Sequence, residues 1–281
     1  MPVTAGSLAR KAVKAAVLPG GVVSRRRAGD VVVLLYHRVG PGPGEIELPA
    51  GRFERQLAVL AARERVLSLD QALAAAAAPD PAGGVVLSFD DGYRDFHDTV
   101  LPLLVRYRLP AVLYLATGLV AEPGRPADPQ ALQALHWSEL AEVVATGLVT
   151  VGAHTHGHTD LSRASEAQAE AEMTRSQRLI EDRLGVACRH FAYPWAVASP
   201  AADRVARRRF DSAALDAWRT NRRGGLDPWR LGRTPILASD GMAFFRAKVR
   251  GRLDGEALAY RALRRGPWRA AAGQPRRAAP C

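Results

Sequence analysis

The chain has 281 residues, 48% of them hydrophobic, so it can bury a large core, and its two cysteines, Cys188 and Cys281, argue against a disulfide framework. Its net charge of +11 sits at the ends: residues 1–29 carry six basic and no acidic side chains, and residues 245–281 carry ten basic against two acidic. No stretch reaches the ~18 apolar residues of a membrane span, and no nucleic-acid-binding motif accompanies the charge.

Near the start, Leu8, Ala9, Val13, Ala16 and Val17 interleave with Lys and Arg, a pattern for a short basic amphipathic helix on an anionic membrane surface. The alternative is a solvated basic end. Val31–Val39 reads as a β-branched strand ending in Tyr36-His37. A helix begins near Leu69 and runs into the five alanines 74–78, followed by a Pro/Gly-rich connector over 79–84. Val85–Phe89 is an apolar run that ends abruptly in Asp90-Asp91-Gly92. Ala111–Ala116, after Pro110, is strand-like, and residues 121–129 form a proline-rich surface loop. Trp137 reads as a packing residue at a helix start. Leu148–Ala153 is a strand leading into His154-Thr155-His156-Gly157-His158. A long helix over Arg163–Leu184 is closed by Gly185. Arg189–Tyr193 is strand-like, Ala201–Arg209 helical, and Leu231–Leu237, interrupted by Pro235, a short edge strand at most. This βα alternation predicts a parallel sheet or barrel.

Two places carry chemistry. An apolar strand ending in two carboxylates delivers acid groups where α/β enzymes keep their sites, although Asp-Asp-Gly also suits a solvated turn. Three of the seven histidines fall within five positions, and the spacing of His154 and His158 lets two imidazoles converge on one ion. A His-rich polar loop is the alternative. One carboxylate and two imidazoles make a three-ligand metal site with positions open to water, and a second carboxylate beside them serves as base to that water. Zinc suits such a set, and cobalt, nickel or iron also fit. His97, His136 and His190 read as surface or core residues, and His156 as a solvent-facing spacer.

These motifs resemble the polysaccharide deacetylases with a NodB homology domain, over about residues 30–250, flanked by basic segments 1–29 and 251–281. Ser88–Gly92 matches that family's first motif, and His154, Thr155 and His158 its second. The resemblance implies a single-domain α/β fold, a distorted (β/α) barrel of about seven strands. It also implies Asp90 as catalytic base, Asp91, His154 and His158 as metal ligands, and Thr155 as a hydrogen-bonding brace of the loop. Phe191–Ala196 resembles a Phe-Ala-Tyr-Pro-x-Gly segment that walls the substrate groove through Tyr193, Pro194 and Trp195, with the Trp195 amide stabilising the oxyanion. The side chains of Tyr193 and Trp195 read equally as core aromatics. Ala196 stands where the family has Gly. Ala192 stands where other branches carry an Arg against the base, so no arginine at that position is available. The Tyr36-His37 strand is similar to the opening of the circularly permuted branch that includes poly-N-acetylglucosamine deacetylases, which makes His37 the candidate general acid.

The implied activity is metal-dependent hydrolysis of an N-acetyl group on an amino-sugar glycan. A non-catalytic glycan binder of the same fold and an O-acetyl esterase are the alternatives. Without an export-like apolar run, a cytoplasmic protein, peripheral at the inner membrane face, is expected.

Overall fold

A computed structural model of the chain describes residues 26–78, 82–121, 134–216 and 219–252. In chain order the elements are β1 (Val31–Tyr36), β2 (Arg38–Val39), β3 (Glu47–Leu48), α1 (Ala50–Arg63), α2 (Leu69–Ala77) and β4 (Gly84–Asp91). A π-helical turn (Phe96–Val100) leads into α3 (Leu101–Tyr107), followed by β5 (Ala111–Leu115), α4 (Trp137–Ala145), β6 (Val149–Ala153) and α5 (Glu166–Leu184). Then come β7 (His190–Ala192), α6 (Pro200–Arg209), β8 (Ser212–Asp216), β9 (Leu231–Pro235) and α7 (Met242–Val249). Seven strands close into a barrel in the order β1-β4-β5-β6-β7-β8-β9, and every barrel pairing is parallel. This is the (β/α) barrel expected from the sequence.

The strands are buried on both faces, which is why they read as continuous apolar runs rather than alternating ones. In β1, Val32, Leu34 and Tyr36 join the cluster between barrel and helices, while Val31 and Val33 join the interior one with Val86, Val112, Tyr114, Ala192, Ala214 and Leu231. Gly152 also belongs inside: a Cβ there would lie 2.8 Å from the Tyr114 ring and 2.8 Å from the His190 carbonyl.

Helix ends follow local chemistry. Ser68 with Gln71 and Ser165 with Gln168 form capping boxes, so α5 begins at Glu166 rather than at Arg163. Gly185 closes it in the left-handed conformation, φ 66°.

The segment read as an edge strand lies instead between β8 and β1 and closes the barrel. Pro235 is tolerated because it ends the strand, and the next amide, Ile236 N–H, donates to Leu35 O at 2.8 Å.

Candidate metal centre and active site

The barrel places His37 and Asp90 at the ends of neighbouring strands through packing on its outer face. Tyr36 and Phe89 are paired across β1 and β4, and their rings stack at 5.2 Å between centroids. Phe53 and Phe96 pack edge-on against Phe89, and Tyr36 Oη donates to Gln56 Oε1 at 3.0 Å. The residues that follow this pair are His37 and Asp90. His37 is half-buried, and its charge bears on both Asp90 and Asp91.

Asp90 and Asp91 turn to the same side, 3.8 and 3.5 Å from His154 Nε2, because the backbone leaves the extended conformation at Asp91. Asp91 has φ 75° and Gly92 φ 91°, and a Cβ on Gly92 would lie 2.4 Å from Leu115 Cδ1, so only glycine fits there. The strand therefore ends with two carboxylates that do not alternate as a regular strand would.

Asp91, His154 and His158 offer ligand atoms that all lie within 4.8 Å of one another. His154 Nε2 is 3.5 Å and His158 Nε2 3.1 Å from Asp91 Oδ1. That oxygen is buried with no aligned hydrogen bond, despite the short approach of His158. His154 Nδ1–H donates to Ala192 O at 2.8 Å, which leaves Nε2 as a lone-pair donor facing the cluster. Two imidazoles and a carboxylate whose buried oxygen is otherwise orphaned fit a divalent cation. Burial would raise the Asp91 carboxyl, yet the imidazoles of His158, His37 and His154 hold it well below the usual carboxylate range. Burial lowers His154 and keeps it neutral, whereas at His158 burial is outweighed by Asp91 and the pKa rises. A further group, His97, Asp98 and Glu139, is already paired: His97 Nε2 lies 2.9 Å from Glu142, and Arg94 meets Asp98 and Glu139.

Asp90 does not share this cluster's geometry. Its Oδ2 is 3.8 Å from His154 Nε2, while its Oδ1 accepts from Arg233 Nη1 at 2.6 Å, both residues almost fully buried. Burial opposes ionisation, but Arg233, His154 and His37 together hold the carboxyl below its ordinary value. Arg233 is the residue that sequence reasoning missed. An arginine is absent at position 192, as expected, but β9 supplies one from across the barrel. The small side chains of Ala192 and Ala214 leave interior space, and the Arg233 guanidinium lies 5.5 Å from the Tyr114 ring centroid there. The available signal was an arginine inside a strand-like run, flanked by Leu231 and Ile236.

Of the remaining expected residues only Trp195 reaches the rim, and the others lie buried or half-buried beneath it. Thr155, fully buried at φ 61°, accepts from Thr159 N–H at 3.0 Å and ties the loop that carries His158. His156 is half-buried rather than solvent-facing. Its Nδ1 lies 3.0 Å from Thr117 Oγ1, and its carbonyl accepts from Gly118 at 2.7 Å. Tyr193 is a core aromatic, packed edge-on to Phe191 at 4.9 Å, and Pro194 is buried. Trp195 instead points outward, 57% exposed, its ring edge-on to His158 at 4.8 Å. Ala196 has φ 56°, which explains why glycine is usual there: a left-handed alanine costs about 1 kcal/mol or more. Five of the six non-glycine residues with positive φ among the described residues lie in these three motifs, the sixth being Arg108.

A closed parallel barrel whose C-terminal mouth gathers two carboxylates and two imidazoles defines the class, a NodB-type (β/α) barrel with a candidate metal centre. Residues 77–209 match the polysaccharide deacetylase family model, a span that holds Asp90, Asp91, His154, His158 and Trp195 but neither His37 nor Arg233. Over that span the chain is similar to the polysaccharide deacetylase family. It is 28% identical over 123 residues to a poly-β-1,6-N-acetyl-D-glucosamine N-deacetylase of Staphylococcus aureus, covering 41% of each chain. The match thus spans about two fifths of the length of that curated relative. Among solved structures it is similar to IcaB from Ammonifex degensii, with TM-score 0.67 and 25% identity, covering 83% of this chain and 98% of that one. The fold is also that of the Streptococcus pyogenes deacetylase PplD in complex with acetate, with TM-score 0.64 and 22% identity, covering 75% and 94%.

The basic ends proposed for membrane contact lie largely outside the described residues. No helix among the described residues is long and apolar enough to cross a membrane.

Proposed function

We propose that the chain hydrolyses N-acetyl groups on an amino-sugar glycan, and that Asp91, His154 and His158 hold a divalent cation, zinc in the first instance, for that reaction. The observation that carries this reading is the convergence of those three ligands within 4.8 Å beside a separate, arginine-paired carboxylate. The name of the matched curated relative, a poly-β-1,6-N-acetyl-D-glucosamine N-deacetylase, supports the same substrate class. A cation bound there would polarise the acetyl carbonyl and lower the pKa of an attacking water.

The protein's own groups divide the proton work. Asp90, ionised and held by Arg233, takes the proton of the attacking water. His37, across the β1–β4 pair, gives a proton to the departing amine. The Trp195 N–H faces the developing oxyanion, in a turn where the amides of Ala196 and Val197 are bound to Tyr193 O and Pro194 O. Tyr193 and Pro194 set that turn and form the wall beneath it. The products are acetate and a free amino sugar. Arg233 gives Asp90 an arginine partner, which weighs against a non-catalytic glycan binder, while Ala196 still departs from the family pattern.

The test is acetate release from N-acetylated and O-acetylated sugars with and without a chelator. Chelator-sensitive acetate from the N-acetylated set is expected. Release from O-acetyl sugars alone would make it an esterase, and no acetate from either would end the catalytic reading.

A further inference from the structure

The two basic ends of the chain are joined to the barrel at one place. Arg26 N–H donates to Arg250 O at 2.8 Å, so residues 1–25 and 253–281 are attached side by side. They are attached where the barrel strands begin, at the pole opposite His37, Asp90 and Asp91. This pole is itself rich in arginine. Arg27, Arg65, Arg108, Arg189, Arg223 and Arg250 are all exposed there. Arg27, Arg108 and Arg189 shortly precede barrel strands, Arg65 O accepts from Val85 N–H in β4, and Arg223 N–H donates to Asp30 Oδ1. The carboxylates nearby are fewer: Asp30 is buried, Glu64 is half-buried against Arg26, and Asp70 and Asp211 are both met by Arg189. Four of the six arginines, Arg27, Arg65, Arg189 and Arg223, lie outside any helix, so compensation of helix dipoles does not account for them.

The ends add to this charge. Residues 1–25 hold four basic and no acidic side chains, and residues 253–281 six basic and two acidic, so each end contributes four of the chain's net +11. Apolar residues stand among the basic ones, Leu8, Val13 and Val17 in the first end and Leu263 and Trp268 in the second. Many positive charges spread over a barrel end, with apolar side chains to insert between headgroups, match an anionic bilayer, whose lipids rearrange under any charge spacing. A nucleic acid is a poorer match, since no binding motif accompanies the charge. With this pole on a surface, the mouth of the barrel points away from it and stays open to substrate.

We propose that the N-terminal pole of the barrel, with the basic ends attached there, docks on anionic phospholipid and holds the mouth with Asp90 and the ligand cluster facing away from the bilayer. The proposal does not depend on the glycan reading above. The test is flotation of the full chain with phosphatidylcholine vesicles and with vesicles that also contain phosphatidylserine, at low and at high salt. Binding to the anionic vesicles alone, lost at high salt, is expected. Arg65→Gln, Arg189→Gln and Arg250→Gln combined should weaken it on the order of a hundredfold, about fivefold for each arginine. Arg94→Gln, Arg163→Gln and Arg204→Gln combined, at exposed positions outside this pole, should leave it unchanged. Thermal melting checks that both variants are folded. Equal binding to neutral vesicles, binding that persists at high salt, or an equal loss in the two triple variants would overturn the proposal. So would full binding by the pole variant, which would make the ends alone responsible. A preference for duplex DNA over anionic vesicles, when the two compete at equal phosphate, would replace the bilayer by a nucleic acid and overturn it as well.

Discussion

At the N-terminal end of the barrel, the buried side chains of Asp30, Asn221 and His190 are held by several partners each. Asp30 accepts from the amides of Arg27 and Arg223, each at 2.8 Å, and from Arg222 Nη1 at 3.0 Å. The Asn221 side chain donates to Val31 O and Gly232 O and accepts from Gly232 N–H, stitching β1 to β9. His190 lies between Ser212 Oγ at 2.9 Å and Asp70 Oδ1 at 3.2 Å. At the C-terminal end the accounting is left open. Asp91 Oδ1 is buried without an aligned hydrogen bond, five non-glycine residues hold left-handed backbone, and a tryptophan faces water. The first set of groups is satisfied within the protein, and the second includes an unpartnered carboxylate oxygen and strained backbone, the pattern of a binding site.

That contrast is broken most sharply at the proposed base, Asp90, and the proposed ligand His154. Asp90→Asn should lower acetate release by about a thousandfold, within the range for loss of a general base, while metal content measured after dialysis stays near that of the unaltered protein. The amide oxygen can still accept from Arg233, so the buried guanidinium keeps a partner. His154→Ala should lose both activity and metal. Equal metal loss in the two variants would contradict the separation of Asp90 from the ligand cluster.

The same contrast decides what could be read from the sequence. Asp90-Asp91-Gly92 and His154 to His158 were legible because each motif is contiguous, and because the strands that carry them are apolar runs with a sharp polar end. The strand containing Arg233 was not. Five residues, Leu-Gly-Arg-Thr-Pro, show no usable periodicity, and the proline argued for an edge. Only the closure of β9 on β1 reveals that Arg233 meets Asp90, 143 positions away in the chain. The reason His37 reaches the site was likewise partly hidden. Tyr36-His37 is visible as a strand end, but the Tyr36–Phe89 stack that sets it beside Asp90 is a matter of register. The glycine usual at position 196 was noticed as a departure, and its physical content, a left-handed backbone, needed the structure.

A mutation at the opposite end sharpens the comparison by separating stability from chemistry. Asn221→Ala removes three side-chain hydrogen bonds and leaves Gly232 groups buried without them. The expected cost is roughly 2–3 kcal/mol, read as a lower urea midpoint, with metal content per folded molecule unaltered. A metal loss as large as that of His154→Ala would mean that the two ends are not independent.

The smallest effect should run the other way. Ala196 holds φ 56°, a conformation glycine adopts without its steric penalty. Ala196→Gly relieves about 1 kcal/mol of strain, but the more flexible unfolded chain gives part of it back, so a net gain of roughly 0.5 kcal/mol is expected in denaturation. If the strain is kept because it aims Trp195, the gain should come with weaker glycan binding, since a glycine at 196 loosens the turn that holds the indole against His158. A variant both more stable and equally good at binding would mean that the alanine is only a tolerated departure, and that Trp195 needs no strain to stand upright.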